Sequence, residues 1–98
     1  MNWTLIVEPP AGRDVQISLA FYSSRDPKLA ARLARKLAQT LESIRTNPYR
    51  WAEVEDGIRE AIVDRWPYAI YYRVGEGSIH VFSIFNTNRD PQEWMDRI

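Results

Sequence analysis

The alternation of apolar and polar residues is most regular in the second half of the chain. Two aromatic and β-branched runs, Trp66–Val74 and Ser78–Phe85, flank the sequence Gly75-Glu76-Gly77. This arrangement predicts an antiparallel hairpin with a tight turn. A shorter run, Ile58–Val63, also alternates and predicts a strand whose two faces differ in polarity. Together these runs predict a three-stranded antiparallel sheet.

A long amphipathic helix is predicted between Asp26 and Thr46. Asp26 is a good N-cap, Pro27 suits the first helical position, and apolar residues recur at the spacing of one helical face. That apolar stripe consists of Leu29, Leu33, Leu37, Leu41 and Ile44. The opposite side is basic, and we interpret it as a solvated face in preference to a nucleic-acid site. Its residues are Lys28, Arg32, Arg35, Lys36 and Gln39.

Both ends of the chain carry short predicted elements. Trp3–Val7 predicts a strand that ends before Pro9-Pro10, because proline cannot donate a ladder hydrogen bond, and Ala11-Gly12 then predicts a turn. Near the other end, Asp90-Pro91 predicts the start of a short helix. We expect the indole of Trp94 to anchor that final turn on the core.

The segment from Arg13 to Tyr22 fits two patterns. Apolar residues occupy every second position, which is the period of a strand. Val15, Leu19 and Tyr22 also fall on one face of a helix, with further apolar residues on the opposite face. Periodicity alone favours a strand here.

Composition narrows the class of protein. The 98 residues suffice for one domain, spanning 1–98, and contain no cysteine, so that disulfides and thiolate chemistry are excluded. No apolar run is long enough for a membrane helix, and we expect a cytoplasmic protein without a membrane partner. Thirteen basic and thirteen acidic residues cancel, whereas a dedicated nucleic-acid binder usually has a basic excess.

Few residues suggest chemistry. His80 is the only histidine, and no serine or carboxylate is placed in the sequence so as to suggest a triad with it. The acidic trio Glu53, Glu55 and Asp56 lies in a predicted polar connection, and we interpret it as solvated charge, with no metal or cofactor expected. Four arginines and two asparagines could bind a phosphate or a carboxylate, or could pair with neighbouring acidic residues. They are Arg59, Arg65, Arg73, Arg89, Asn86 and Asn88.

The order of elements and four motifs resemble the RelE/ParE superfamily of toxins from bacterial type II toxin–antitoxin modules. The motifs are Arg13-Asp14 leading to Phe21-Tyr22, Arg25-Asp26-Pro27-x-Leu29-Ala30, Ile58-Arg59 followed by Arg65 to Val74, and Arg89-Asp90-Pro91-x-x-Trp94. The resemblance implies an α+β fold: an N-terminal strand, a two-helix hairpin, a three-stranded antiparallel sheet and a short C-terminal helix. On these grounds we predict a helix, and not a strand, from Arg13 to Ser23.

The superfamily implies two activities. Its RelE-like branch cleaves mRNA, usually on the ribosome, and its ParE-like branch poisons DNA gyrase. Ala69 stands where the ribonuclease branch often has arginine, and Asn86 stands where many relatives have histidine, so that a charge-stabilising group and a general acid or base are both missing. We therefore predict a ParE-like toxin that binds a macromolecular target without cutting it. The alternatives are a ribosome-dependent endoribonuclease and a degenerate toxin that only binds antitoxin.

These readings assign candidate residues to each role. Arg73, Asn86 and Arg89 are the candidates for target binding, and an endoribonuclease would use Arg59, Arg65, Arg73 and Arg89 to hold RNA. In this superfamily a small antitoxin neutralises the toxin by laying a helix or an extended segment across it. We predict that Ile17 and Phe21 receive an antitoxin helix and that an exposed sheet edge accepts an extended segment.

Overall fold

The computed structural model describes residues 2–98, and within them eight helices and strands follow one another. They are β1 (Thr4–Val7), α1 (Pro9–Ser23), α2 (Pro27–Thr46), β2 (Glu53–Glu55), β3 (Ile58–Val63), β4 (Tyr68–Val74), β5 (Ser78–Asn86) and α3 (Gln92–Met95). This is the predicted α+β order of an N-terminal strand, two helices, a sheet and a short C-terminal helix.

The sheet has five strands in the order β1-β5-β4-β3-β2, so that the prediction of a three-stranded sheet was wrong in number. The predicted antiparallel core β3-β4-β5 is present. β1 extends it by pairing in parallel with the first part of β5, and the two helices form the long connection that parallel pairing requires. At the other edge the missed strand β2 pairs with β3.

The strand β2 was missed because it is short and polar. All three of its residues are exposed, and two of them are glutamates, which blunts this edge of the sheet against further pairing. The turn from β2 to β3 is Asp56-Gly57, and both residues have positive φ, 35° and 76°. An Asp-Gly pair is the strongest short-range hairpin signal in a sequence. The Asp56-Gly57 pair was therefore a signal in the sequence for β2, whose residues were instead predicted to belong to a polar connection.

The first helix confirms the choice made from the family resemblance over the one made from periodicity. It begins earlier than predicted, because Pro9 and Pro10 occupy its first turn, where a missing N–H costs nothing. The predicted turn at Ala11-Gly12 is therefore wrong, and Ala11 is fully buried in the helix. Ile17 and Phe21 lie on the side of α1 that faces away from the core and are 67% and 48% exposed.

The second helix matches its prediction closely. The Asp26 carboxylate accepts a hydrogen bond from the backbone N–H of Lys28 at 3.0 Å, and the helix ends at Thr46. Its leucine stripe lies against the sheet, with Leu33 and Leu37 buried. With α1, this stripe covers one face of β3, β4 and β5, which we call the helix-covered face. Tyr72 lies at its centre, and its hydroxyl donates to the Pro48 carbonyl at 2.6 Å.

The opposite face of the sheet has a smaller, more aromatic cluster that is covered by α3. The Trp94 indole stacks on the Tyr71 ring with a centroid separation of 3.9 Å and an interplanar angle of 12°. Ile58, Ala69 and Phe85 complete the buried part of this cluster. Trp94 therefore anchors the final turn, as expected, and we call this side the α3 face.

No helix in the described part of the chain has the length and apolar character needed to cross a membrane.

Candidate functional site

A groove of about 400 Å³ lies between α1, the end of β5 and the segment that leads into α3. We call it the α1 groove. One wall comes from α1, the floor from β4 and β5, and the other wall from the C-terminal residues. Its lining consists of Asp14, Ile17, Ser18, Phe21, Tyr68, Ser83, Ile84, Phe85, Asn86, Arg89, Glu93, Trp94 and Arg97.

Ile17 and Phe21 supply the apolar wall of the α1 groove. They are one helical turn apart, and both belong to the exposed large apolar side chains of the molecule. The Arg25 guanidinium lies 3.7 Å from the centroid of the Phe21 ring and donates to the Phe21 carbonyl, which holds the end of the wall in place. An apolar wall of this kind can receive the apolar side of a partner helix.

The floor of the groove includes an open stretch of sheet edge. β1 pairs with β5 only from Ser78 to Val81, and the rest of β5 extends past the end of β1. The backbone N–H of Ile84 points away from β4 and donates to the Asp14 carboxylate at 3.0 Å. The Ile84 carbonyl faces the same way, because the N–H and C=O of one strand residue share a side. An added extended segment could pair with this edge by taking the place of the Asp14 carboxylate at the Ile84 N–H.

Asp14 and Arg97 close one end of the groove. The Arg97 guanidinium binds the Asp14 carboxylate through two bonds of 2.6 and 2.9 Å and also donates to the Phe82 carbonyl at 3.1 Å. The pKa of Arg97 is raised above its usual value, chiefly by the hydrogen bond to Asp14. This fork of bonds ties the C-terminal segment to α1 and to the edge of β5.

Two of the predicted target-binding residues, Asn86 and Arg89, line the same groove as Ile17 and Phe21. The side chain of Asn86 accepts the N–H of Asn88 at 2.9 Å, and its carbonyl accepts the N–H of Arg89, so that Asn86 shapes the turn after β5. Arg89 forms an ion pair of 3.0 Å with Glu93 and remains mostly exposed. The groove thus combines an apolar wall with a partly neutralised cation.

The third predicted target-binding residue, Arg73, lies elsewhere. Asn86 is opposite Tyr68 at the start of β4, and Arg73 is near the end of that strand, opposite His80. At about 3.3 Å per residue the two positions are about 17 Å apart along the strand. Arg73 makes no ion pair or side-chain hydrogen bond with any of residues 2–98, and it lines a separate cavity of about 180 Å³.

The other two predicted arginines, Arg59 and Arg65, lie apart from the α1 groove and from Arg73. Arg59 is a cross-strand neighbour of Tyr72 and so lies on the helix-covered face, where it donates to the Trp51 carbonyl at 2.6 Å and faces Glu53 at 3.8 Å. Arg65 is in the β3–β4 turn with a φ of 69° and an almost fully exposed side chain. The four arginines proposed for an endoribonuclease are therefore distributed over both faces and both ends of the sheet.

The surroundings of His80 were not predicted from the sequence. Its Nδ1 lies 2.8 Å from a Glu8 carboxylate oxygen, and its Nε2 lies 3.1 Å from the Ser78 hydroxyl. Glu8 is 72 residues away in sequence, so that no spacing could reveal the contact. Ser78, two residues before His80 on a predicted strand, could have been placed on the same face.

Within the described residues, no three histidine or acidic side chains are close enough together to hold a metal ion. The trio Glu53, Glu55 and Asp56 lies on the exposed β2 hairpin, where one of its members faces Arg59.

Comparison with known proteins defines the class. A family model described as the ParE toxin of the type II toxin-antitoxin system parDE matches residues 5–91. The match covers nearly all of the chain, including α1, α2 and the sheet from Leu5 onwards. The chain therefore belongs to this family and is the toxin component of a type II toxin–antitoxin system. Membership implies a cognate antitoxin as its partner.

Individual relatives agree with this assignment. The chain is 33% identical over 88 residues to Toxin RelE1 of Caulobacter vibrioides, which covers 88% of this chain and 95% of that protein. In structure it resembles the chromosomal ParDE toxin–antitoxin system from P. aeruginosa, with a TM-score of 0.77 at 18% identity over 87% of this chain and 96% of that one. This structural similarity supports the assignment of the fold.

Proposed function

We propose that this toxin inhibits growth by binding a macromolecular target, with DNA gyrase favoured, and that it does not cut RNA. The observation that carries the proposal is the α1 groove, in which exposed apolar residues of α1 lie beside Asn86, Arg89 and an open stretch of β5. Such a surface suits protein recognition, since it offers apolar area, a sheet edge and charges that are paired with one another.

The same groove is our proposed site for the antitoxin. Ile17 and Phe21 would receive the apolar side of an antitoxin helix, and the edge of β5 beyond Val81 would pair with an extended segment. The two outermost strands, β2 and β1, have only three and four residues, and β1 covers only the first half of the β5 edge. The uncovered part of β5 is therefore the best location for the strand addition that the sequence led us to expect.

Three features support binding over RNA cleavage. The four candidate arginines are spread over both faces and both ends of the sheet, whereas stabilising the charge of a phosphoryl transition state requires cations that converge on it. Ala69 is fully buried under the aromatic cluster of the α3 face. Asn86 has no titrating group, and its side chain is used in the turn after β5.

The test is inducible expression in bacteria, alone and together with the product of the adjacent small gene. We expect growth arrest that the second protein relieves, with transcript 5′ ends unchanged and with gyrase-dependent DNA cleavage or altered supercoiling. New 5′ ends phased to ribosomes would contradict the proposal and identify an endoribonuclease. Unaffected growth with retained binding of the second protein would identify a degenerate toxin.

A mixture of the purified toxin and gyrase separates the preferred target from others. We expect the toxin to reduce supercoiling activity or to trap cleaved DNA, and we expect Arg89→Glu to weaken that effect. Glu42→Arg is a suitable control, because Glu42 is an exposed residue of α2 outside the groove. Full growth arrest without any effect on gyrase would direct the search to another macromolecule.

A further inference from the structure

Ser78, His80 and Glu8 form a chain of hydrogen bonds at the end of the sheet opposite the α1 groove. The Ser78 Oγ lies 3.1 Å from His80 Nε2, and His80 Nδ1 lies 2.8 Å from Glu8 Oε1. Ser78 and His80 are on one face of β5 because they are two residues apart, and Glu8 lies between β1 and α1. A nucleophile, a base and an orienting carboxylate are thus in hydrogen-bond contact in that order.

The carboxylate determines which nitrogen of His80 carries the proton. A carboxylate can only accept, so that in the neutral form of His80 the Nδ1 donates to Glu8 and Nε2 accepts from the Ser78 hydroxyl. This is the tautomer in which an imidazole can take the proton of a serine as the serine attacks. Glu8 is the N-cap residue of α1 but makes no capping bond with its side chain, which is committed to His80.

Ser78 is half-buried, and the turn before it places no side chain beside its hydroxyl. A Cβ added at Gly75 would lie 3.3 Å from the Ser78 Oγ, so that the absence of a side chain at Gly75 leaves space beside the hydroxyl. Arg73 is directly opposite His80 on the neighbouring strand and therefore shares its face. Diagonal cross-strand neighbours are about 7–8 Å apart, which an arginine side chain spans, so that the Arg73 guanidinium can reach an oxyanion formed at Ser78.

From this geometry we propose that Ser78 is an activated nucleophile that accepts an acyl group from a carboxylic ester, with His80 as its base, Glu8 as a positioning residue and Arg73 as the cation for the oxyanion. The Ser78 Oγ forms a bond to the carbonyl carbon while its proton passes to His80 Nε2. The ester C–O bond then breaks, and the alcohol leaves with the proton from His80. Water then attacks the acyl carbon while His80 takes its proton, the bond from that carbon to the Ser78 Oγ breaks, and the acid leaves as Ser78 regains the proton from His80.

The proposal does not depend on the toxin's target, because Ser78, His80 and Glu8 do not line the α1 groove. Its most direct test is a fluorophosphonate probe followed by peptide mass spectrometry. The Ser78 Oγ forms a bond to phosphorus, the P–F bond breaks, fluoride leaves, and the proton passes through His80 to solvent. We expect one label, on Ser78. Ser24 serves as an internal control, since its exposed hydroxyl is bonded to the Phe21 carbonyl and has no base beside it.

Variants separate activation from simple exposure. We expect His80→Gln to slow labelling of Ser78 at least about tenfold, since a positioned base contributes about 10²–10⁴-fold in general. Glu8→Gln keeps an acceptor for His80 but removes the charge, and it should slow labelling without changing the labelled residue. Gly75→Ala should slow it by crowding the hydroxyl while His80 and Glu8 stay in place.

The outcomes decide the proposal in either direction. Labelling of Ser78 that falls in all three variants, with unchanged circular dichroism, supports it. Labelling of Ser78 no faster than that of Ser24, or labelling that His80→Gln leaves unchanged, would overturn it and leave the three residues as a structural link between β5 and α1. Hydrolysis of p-nitrophenyl acetate by the intact protein, lost in Ser78→Ala, is the matching activity readout.

Discussion

The two faces of the sheet are covered in different ways. The helix-covered face lies under two helices of 15 and 20 residues, and its core is mainly aliphatic side chains that are fully buried. The α3 face lies under a helix of four residues, and aromatic stacking on Tyr71 supplies most of its cover. We infer that the first face contributes most of the stability, because buried aliphatic area is its main component.

The α1 groove lies where these two regions meet. Its wall on α1 belongs to the helix-covered side of the molecule, whereas Trp94 and Arg97 belong to the C-terminal cover. Substitutions in the helix-covered core should therefore change stability, and substitutions on the outer side of α1 should change binding. The predictions below test this division.

The largest effect is expected from Leu33→Ala. Leu33 is fully buried between α2 and the sheet, and truncation would leave a cavity that costs about 3 kcal/mol of unfolding free energy. Urea denaturation measures this value. Ile62→Ala is the matched control, since Ile62 is 55% exposed on the α3 face and should lose less than about 0.5 kcal/mol. Similar losses of unfolding free energy in the two variants would contradict the view that stability comes mainly from the helix-covered core.

A smaller loss is expected from Trp94→Ala. The indole covers Tyr71, but α3 is short and close to the C-terminus, so that it can rearrange without opening the other face. We expect a loss of about 2 kcal/mol and a clear change in near-ultraviolet circular dichroism. A loss larger than that of Leu33→Ala would show that the α3 face dominates stability.

Asp14→Ala removes the link between α1, β5 and Arg97. It breaks two charge-assisted bonds and leaves the Ile84 N–H without its acceptor, and we expect a loss of about 1.5 kcal/mol. Hydrogen exchange of the Ile84 amide should accelerate as well. Glu42→Ala breaks a fully exposed ion pair on α2 and should leave stability almost unchanged. Equal effects of the two variants would argue against the link.

Tyr72→Phe should cost about 1 kcal/mol at neutral pH, since the buried Pro48 carbonyl loses its donor. Burial raises the pKa of Tyr72 from 10.0 to about 12. The unfolded chain therefore releases this proton first, so that the contribution is complete below pH 10 and disappears as the pH rises towards 12. Burial also raises the pKa of Tyr71, in the same direction. The measurement is the free energy of unfolding of both proteins between pH 10 and pH 12. If it fell no more steeply for the wild type than for Tyr72→Phe, the role given to the Tyr72 hydroxyl would be contradicted.

The sequence predicted some elements well for clear physical reasons. Helix α2 has a capping aspartate, a proline at its first position and a regular leucine stripe, so that local and tertiary preferences agree. Local and tertiary preferences also agree in the hairpin β4–β5, where the glycine turn Gly75–Gly77 joins two strands that pair with each other. The course of helix α1 could not be predicted from periodicity, because Ile17 and Phe21 are apolar yet face the groove and not the core. The exposed apolar residues of the α1 groove imitate the strand period.

The site was predicted only in part. The fold places four residues that were selected from the sequence, Ile17, Phe21, Asn86 and Arg89, along one groove. The contact between Asp14 and Arg97 could not be predicted, because the two are 83 residues apart and meet only because α3 returns to α1. The contacts of His80 depend equally on tertiary structure.

The most direct test of the central claim is the affinity of the toxin for the product of the adjacent small gene, measured by calorimetry for the wild type and for Phe21→Glu. A charge in the apolar wall of the α1 groove should weaken binding by about 30-fold or more, as expected for loss of an interface anchor. Ile62→Glu places the same charge at an exposed apolar position on the α3 face and should leave binding unchanged. Undiminished affinity of a folded Phe21→Glu variant would contradict the claim that the α1 groove holds the antitoxin.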